Sequence, residues 1–486
     1  MKTTESIGTT GLVMNEPLLW EKGKTGRVGF SLPNQDVPSA PLEKELVRDG
    51  LDFPDLSEVD VVRHFTRLSQ WNYGVDTGMY PLGSCTMKYN PKTHERQAAL
   101  PGFAQAHPFL PAELAQGVLA LMHDLERYLA EITGLPAVTL QPAAGAHGEL
   151  TGMMIARAYH VHLGSPRHKI LIPDTAHGTN PASCTLCGFA SVSVKSNDKG
   201  ILSPETVEAA MDEDTAGIMI TNPNTLGFFE ENIKAIAEIV HAKGGLVYMD
   251  GANMNAMMGV VSPGEIGVDI MHLNLHKTFS TPHGGGGPGA GPVCVREDLA
   301  PFLPVPRIQK EGNTFYLSYD FPQSIGKIHA FYGNVGVLIK AYSYIRTMGK
   351  ELKRASQLAV LNANYVKEQL KDTFFLPYDR PCMHECVFTD KFQEAQKITT
   401  LDIAKRLIDY GFHPPTIYFP LVVHGALMIE PTETESKETL DSFIETCKAI
   451  AVEAQNNPEK LREAPTKPKV RRLDETLAAR HPHLAD

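Results

Sequence analysis

From Lys169 to Lys277 short apolar runs alternate with turns and helical stretches, without an internal sequence repeat. Lys169-Ile170-Leu171-Ile172-Pro173, Gly217-Ile218-Met219-Ile220-Thr221-Asn222, Leu246-Val247-Tyr248-Met249-Asp250 and Val268-Asp269-Ile270-Met271 have the length and β-branched content of buried strands. Between them, Ser203-Pro204 supplies an N-cap and a first-turn proline. Ile233, Ile236 and Val240 mark a helix that stops at Gly244-Gly245. Such alternation predicts an α/β domain with a mostly parallel sheet covered on both faces. In sheets of this kind the ligand sits beyond the carboxyl ends of the strands. The residues that follow each strand are therefore the candidates for chemistry.

Those residues form a coherent set. Gln141-Pro142-Ala143-Ala144-Gly145-Ala146-His147-Gly148-Glu149 lies between an expected strand and a helix expected to start near Glu149, and small residues at a helix start expose backbone N–H groups to an anion such as phosphate. His177, after the strand at 169–173, stands where a ring can stack on a flat ligand. Asn222 and Thr225 follow the next strand, and Asn222 is a donor for a phenolate oxygen. Asp250 ends the strand at 246–250, and a carboxylate there suits a pyridinium nitrogen. Lys277 follows the last strand within Leu275-His276-Lys277-Thr278-Phe279, ahead of the glycine-rich stretch Gly284–Gly289. Burial of a lysine depresses its ammonium pKa, and a neutral amine forms a Schiff base with a carbonyl. A phosphate cradle, a ring stacker, an acid and a lysine in this order match a pyridoxal phosphate (PLP) enzyme of the aspartate-aminotransferase-like fold, type I. The Pro-bracketed segment Tyr80–Pro91 is dense in donors and reads as a loop that lines the site.

At 486 residues the chain is long enough for several domains. The expected boundaries are an extended arm with the site-lining loop over 1–105, a large PLP-binding domain over 106–330, a smaller C-terminal α+β domain over 331–460 and a tail over 461–486. A helix is expected where Leu114, Val118, Leu121, Leu125, Leu129 and Ile132 recur, with Gly134 as its stop. Further helices are expected near 332–348, 351–372, 401–410 and 437–455, the last capped by Ser436. Short strands are expected near 384–389, 417–420 and 426–430. The net charge of −11 argues against nucleic acid or a membrane surface as the main partner. Met1 to Asn15 lacks the apolar core of a secretory signal, and no continuous apolar run is long enough to span a bilayer. Seven sparse cysteines fit a reducing cytoplasm. Cys184-Thr185-Leu186-Cys187 and Cys382-Met383-His384-Glu385-Cys386 offer metal-ligand types, but a structural zinc site needs four ligands at closed spacing, and no metal is expected.

Tyr80-Pro81-Leu82-Gly83-Ser84-Cys85-Thr86-Met87-Lys88, His177-Gly178-Thr179-Asn180-Pro181-Ala182-Ser183, Asp250-Gly251-Ala252-Asn253-Met254-Asn255-Ala256, Leu275–Phe279 and Glu430-Pro431-Thr432-Glu433 together resemble the P-protein (glycine decarboxylase) family of the glycine cleavage system. The resemblance spans nearly the whole chain. It implies PLP-dependent decarboxylation of glycine with transfer of the aminomethyl group to the lipoyl arm of H-protein. The family has a long single-chain form and a two-subunit form. This chain is similar to subunit 2 of the latter, which implies a subunit 1 in a heterotetramer of two copies of each. By the same resemblance Lys277 carries the cofactor as a Schiff base, His177 stacks on the ring, Asp250 pairs with its nitrogen and Ala252 packs on its other face. His276 and the Ala144–Ala146 backbone are expected to hold the phosphate, and Ser84, Thr86 and Lys88 to line the glycine or lipoyl approach. Three other readings stay open at this stage. They are another type I PLP enzyme acting on a small amino acid, a non-catalytic scaffold subunit, and a nucleotide-binding module that uses Gly284–Gly289 without a Walker lysine.

Overall fold

A computed structural model describes residues 16–48, 50–283, 289–468 and 470–482. Most of the glycine-rich stretch, Gly284–Gly287 with Pro288, and the segment 1–15 lie outside the described residues. The chain divides into two compact units, one up to Gly78 and one from Met79 onward.

The first unit is built on the helix Glu58–Ser69, which starts with a capping box between Ser57 and Asp60. The buried carboxylate of Glu16 gathers Lys22 at 2.5 Å, His64 at 2.8 Å and Arg67. This cluster of ion pairs holds Glu16 down to about 2 against the opposing effect of burial, the largest single influence. Phe30, Leu32 and Phe53 are exposed.

The second unit carries a seven-stranded sheet of β1 (Ala137–Thr139), β2 (Lys169–Pro173), β3 (Ala190–Val194), β4 (Thr215–Thr221), β5 (Leu246–Gly251), β6 (Ile270–Leu273) and β7 (Val293–Val295). Their order is β1-β7-β6-β5-β4-β2-β3. Strands β3, β2, β4, β5 and β6 are mutually parallel, and β7 runs antiparallel to β6 and β1. The expected mostly parallel sheet is present. Its side chains sort by the two-residue period of a strand. Leu171, Ile218, Ile220, Val247, Met249, Met271 and Leu273 join the core formed with Leu125, Leu129 and Ile236. Ile170, Ile172, Met219, Tyr248 and Ile270 join the opposite one with Met153 and Ile155.

The helices follow their sequence signals closely. Gln116–Thr133 buries Val118, Leu121, Leu125 and Leu129, each burial contributing about 2 kcal/mol. It ends on Gly134 at φ 70°, a conformation that costs glycine least. Leu114, expected on the same face, lies one turn before the helix and is exposed. Ser203 and Ser436 accept from the N–H of Thr206 and Thr439, as N-caps do.

A hairpin of β8 (Arg307–Glu311) and β9 (Thr314–Ser318) precedes two long helices, Val335–Met348 and Leu352–Leu370. A small antiparallel sheet follows, in which β10 (Cys386–Thr389) and β11 (Thr416–Ile417) flank β12 (Ala426–Ile429). Helices Thr400–Asp409 and Lys437–Asn456 cover it, with Phe388, Leu407, Leu427, Phe443 and Ile450 at its core. No helix among the described residues is long and apolar enough to cross a membrane.

Candidate functional site

The carboxyl ends of β2, β4, β5 and β6 deliver His177, Asn222, Asp250 and Lys277 in turn. Asp250 closes β5, and its register partner on β6 is His272. Asp250 Oδ1 accepts from the Ala252 N–H at 2.9 Å and lies 3.3 Å from His272 Nε2. Oδ2 accepts from Asn180 Nδ2 at 3.0 Å. The Tyr248 hydroxyl is 2.6 Å from His272 Nδ1, so the imidazole is held from both sides. Burial pushes the Asp250 carboxyl up, but His272, His177, Asn180 and the Ala252 N–H outweigh it and hold the group below the usual carboxylate range. A fully buried ionised acid at a strand end is thereby maintained.

His177 stands beside this acid. Its N–H donates to Thr221 Oγ1 at 3.3 Å, and its Nδ1 lies 2.8 Å from Thr179 Oγ1. The Thr179 and Ser183 hydroxyls donate to the two oxygens of Glu149, at 2.7 and 3.0 Å, which ties this turn to the helix Gly145–His162. Burial lowers the His177 pKa, leaving a neutral flat ring. Ala252 is buried directly after the β5 terminus.

Lys277 lies in the short helical turn Leu275–Thr278 after β6 and is 7% exposed. Its Nζ donates to the Ser84 carbonyl at 2.8 Å, so the loop read as site-lining does reach the lysine. Ser84 has φ 63°, a strained left-handed conformation for a residue with a Cβ. The other two candidates of that loop have committed side chains. Thr86 gives its N–H, at 3.1 Å, and its hydroxyl to Glu430. Lys88 is fully buried, paired with Glu433 at 2.6 Å and donating to the Thr278 carbonyl at 2.8 Å.

Ala144 is the N-cap of the helix Gly145–His162 in extended conformation, and Gly145 and Ala146 open the helix. A Cβ on Gly145 would come within 2.7 Å of Asn274 Oδ1, so only glycine fits there. His276 Nδ1 accepts from the Ala290 N–H at 3.3 Å. Burial, with help from His283 and Lys277, lowers His276 to about 3, so it serves as a neutral imidazole. Asn222 Oδ1 accepts from the Glu230 N–H at 3.1 Å, while its buried Nδ2 has no hydrogen-bond partner among the described residues. The hydroxyl of Thr278, next to Lys277, and Asn274 Oδ1 are likewise buried and without a hydrogen-bond partner among them. An amine, a free helix N-terminus, an unpaired amide donor and an ionised acid suit a flat, phosphorylated, aldehyde-bearing ring, and PLP fits this donor set.

Several residues of the site escaped the sequence reading. His272 and Asn180 support Asp250, and the visible signal was a histidine and an asparagine among otherwise apolar or small neighbours. Glu385 and Glu430 approach the Ser84–Thr86 loop from the small sheet, the former accepting from the Ser84 N–H at 2.7 Å. The seven cysteines are all free thiols. Cys184 packs 3.7 Å from the sulfurs of Met153 and Met219, and burial pushes its thiol up to about 12, the opposite of a metal-binding thiolate. A cleft of about 940 Å³ lined by His123, Glu126, Arg127 and Arg307 shares no residue with the site.

Comparison with known proteins agrees with this geometry. The profile of the glycine cleavage system P-protein matches residues 32–308, and that of the glycine dehydrogenase C-terminal domain matches residues 355–469. The chain is 59% identical over 472 residues to a probable glycine dehydrogenase (decarboxylating) subunit 2 of Caldanaerobacter subterraneus subsp. tengcongensis, covering 96% of this chain and 97% of that one. Its fold is similar to a crystal structure of glycine decarboxylase (P-protein) of the glycine cleavage system in inhibitor-bound form, with TM-score 0.71, 20% identity and coverage of 84% and 93%. It is also similar to rice TDC with PLP and tryptamine, with TM-score 0.64, 16% identity and coverage of 84% and 90%. The fold is thus that of type I PLP enzymes, and the chain belongs to the glycine cleavage system P-protein family, among its glycine dehydrogenase (decarboxylating) subunit 2 members.

Proposed function

We propose that this chain is the PLP-bearing subunit 2 of a glycine dehydrogenase, which decarboxylates glycine, releases CO₂ and passes the aminomethyl group to the lipoyl arm of H-protein. The observation that carries the reading is a buried lysine amine and a buried ionised acid at the ends of neighbouring parallel strands, in a chain 59% identical to a relative of that name. When bound, PLP supplies a protonated ring that accepts the electron pair of the breaking bond between Cα and the carboxylate.

The chain's own residues do the rest. Lys277 would hold the cofactor through its amine. Asp250, kept ionised by its donors, would keep the ring nitrogen protonated. His177 and Ala252 would pack against the ring. The Ala144–Ala146 N–H groups and His276 would hold the phosphate, and the unpaired Asn222 Nδ2 would donate to the ring oxygen. Ser84, whose carbonyl meets Lys277, is the strongest of the three loop candidates for the glycine approach. Thr86 and Lys88 act there mainly by bracing the loop.

The assembly in this proposal is a heterotetramer with subunit 1, working on lipoylated H-protein in the cytoplasm. An arm that leaves Phe30, Leu32 and Phe53 exposed supports a polypeptide partner, and seven free thiols support a reducing compartment. The test combines the chain with its subunit 1, PLP, glycine and lipoylated H-protein. Label should exchange from bicarbonate into the glycine carboxylate, and borohydride reduction should leave a pyridoxyl group on Lys277. No exchange, or an adduct confined to another lysine, would refute the reading.

A further inference from the structure

The small sheet carries two acids with no role in the reaction so far. Glu385 immediately precedes β10 and Glu430 immediately follows β12, and these strands are antiparallel partners at Cys386 and Ile429. The two side chains therefore emerge together, both fully buried. One oxygen of each and one ring nitrogen of His384 lie within 4.8 Å of one another. Glu385 Oε2 accepts from the Ser84 N–H, and Glu430 accepts from the Thr86 N–H and hydroxyl. Among the described residues, Glu385 Oε1 and both nitrogens of the fully buried His384 have no hydrogen-bond partner. His384 Nε2 points at the pair, 3.8 Å from Glu385 Oε1 and 3.9 Å from Glu430 Oε1.

The other titratable groups facing this cluster are Lys277, Cys85, Glu433, Cys382 and Cys386. Two buried carboxylates at this separation do not both ionise. Burial raises both carboxyls, joined by Glu430 at Glu385 and by Glu433 at Glu430, with the Ser84 and Thr86 donors and Lys277 pulling the other way, and burial keeps His384 neutral.

We propose that Glu385 and Glu430 hold one proton between them and act as the proton store of the site. This rests on the glycine-cleavage reading above. In that reaction the Cα–carboxylate bond breaks and its electron pair forms the new C–S bond. The S–S bond of the lipoyl group breaks, and its electron pair stays on the second sulfur, which takes up a proton. Glycine is oxidised and the disulfide reduced, with no net gain or loss of protons. The proton that the glycine ammonium gives up on covalent binding is the one that reaches the sulfur, and it must be kept in between. Lys277 must shed any proton before its amine bonds the cofactor again, so a store beside it is needed for the amine to return neutral. The Ser84 backbone touches Lys277 through its carbonyl and Glu385 through its N–H, so the store adjoins the lysine.

Infrared spectra of the cofactor-free subunit complex test the shared proton directly. Subtracting the spectrum of the Glu385→Gln, Glu430→Gln double variant from that of the wild type at neutral pH should leave a protonated-carboxyl band over and above that of Glu230, which both proteins share. In the loaded complex the double variant should lower kcat about 100-fold at unchanged KM for glycine, and should flatten the fall of kcat with rising pH. A difference spectrum without the band, with His384 carrying the proton instead, would overturn the proposal. So would carboxyl bands of equal intensity in the two proteins, or a divalent metal ion retained stoichiometrically at these three side chains. If the band behaves as expected but the wild type fails to decarboxylate glycine, the glycine reading and the proton's destination both fall, and only the shared proton stands.

Discussion

Asp250 and the Glu385–Glu430 pair are all buried acids, and they titrate in opposite directions. Asp250 has Asn180, the Ala252 N–H and His272 around one carboxylate. Glu385 has the Ser84 N–H alone, and a second acid beside it. Burial raises all three, yet only the acid with enough donors stays below the ordinary range. Glu230 is an intermediate case. It is buried, accepts from Asn224 Nδ2 and the Leu202 N–H at 2.8 Å each, and sits at about 7, mainly through burial. Burial pushes each of these acids up, and the donors and acids around it decide how far it moves.

The largest effect should come from removing the ionised member of the contrast. Asp250→Asn keeps the shape but not the charge, and kcat for glycine–bicarbonate exchange should fall about 10³-fold or more with little change in KM. A loss under tenfold would mean the charge has no part in the chemistry. Next comes Glu230, whose folded pKa of about 7 stands above the ordinary 4.5. The folded protein binds the extra proton, so this contribution is complete below about pH 4.5 and is lost as pH rises through 7. The displacement amounts to about 3 kcal/mol at most. Urea unfolding at about pH 5 and pH 8 should show the wild type losing stability that Glu230→Gln retains, and parallel curves would place Glu230 with Asp250 instead. The smallest effect is expected from Tyr248→Phe, which leaves His272 Nδ1 without its 2.6 Å partner and should cost about 1–3 kcal/mol of stability. Activity should fall less than tenfold, and a larger loss would show that Asp250 depends on its support at one remove.

The large sheet was legible because parallel strands buried on both faces read as continuous apolar runs. Two strands escaped. β3 is an edge strand, mostly exposed and written Ala-Ser-Val-Ser-Val, and β7 has three residues and runs antiparallel. His177, Asn222, Asp250 and Lys277 stand out in the sequence because each lies at or within a few residues of the carboxyl end of a strand. The groups that tune them were not, because they come from elsewhere in the chain. His272 meets Asp250 through strand register, Asn180 through the turn after β2, and Glu385 and Glu430 through pairing of β10 with β12. The segment Tyr80–Pro91 was rightly read as rich in donors, but Lys88 spends its charge on Glu433 and the Thr278 carbonyl.

That segment has almost no slack. The Pro81 carbonyl accepts from the Glu430 N–H, Leu82 bridges Ile429, and the Gly83 carbonyl accepts from Thr416. Ser84, Thr86 and Lys88 are each fastened as described above. A single inserted or deleted residue between Pro81 and Lys88 would have nowhere to bulge, and would throw the Ser84 carbonyl off the lysine. Natural length variation should therefore collect outside this stretch, and a rocking of the small sheet should be felt at Lys277 like a lever pulled through a taut cord.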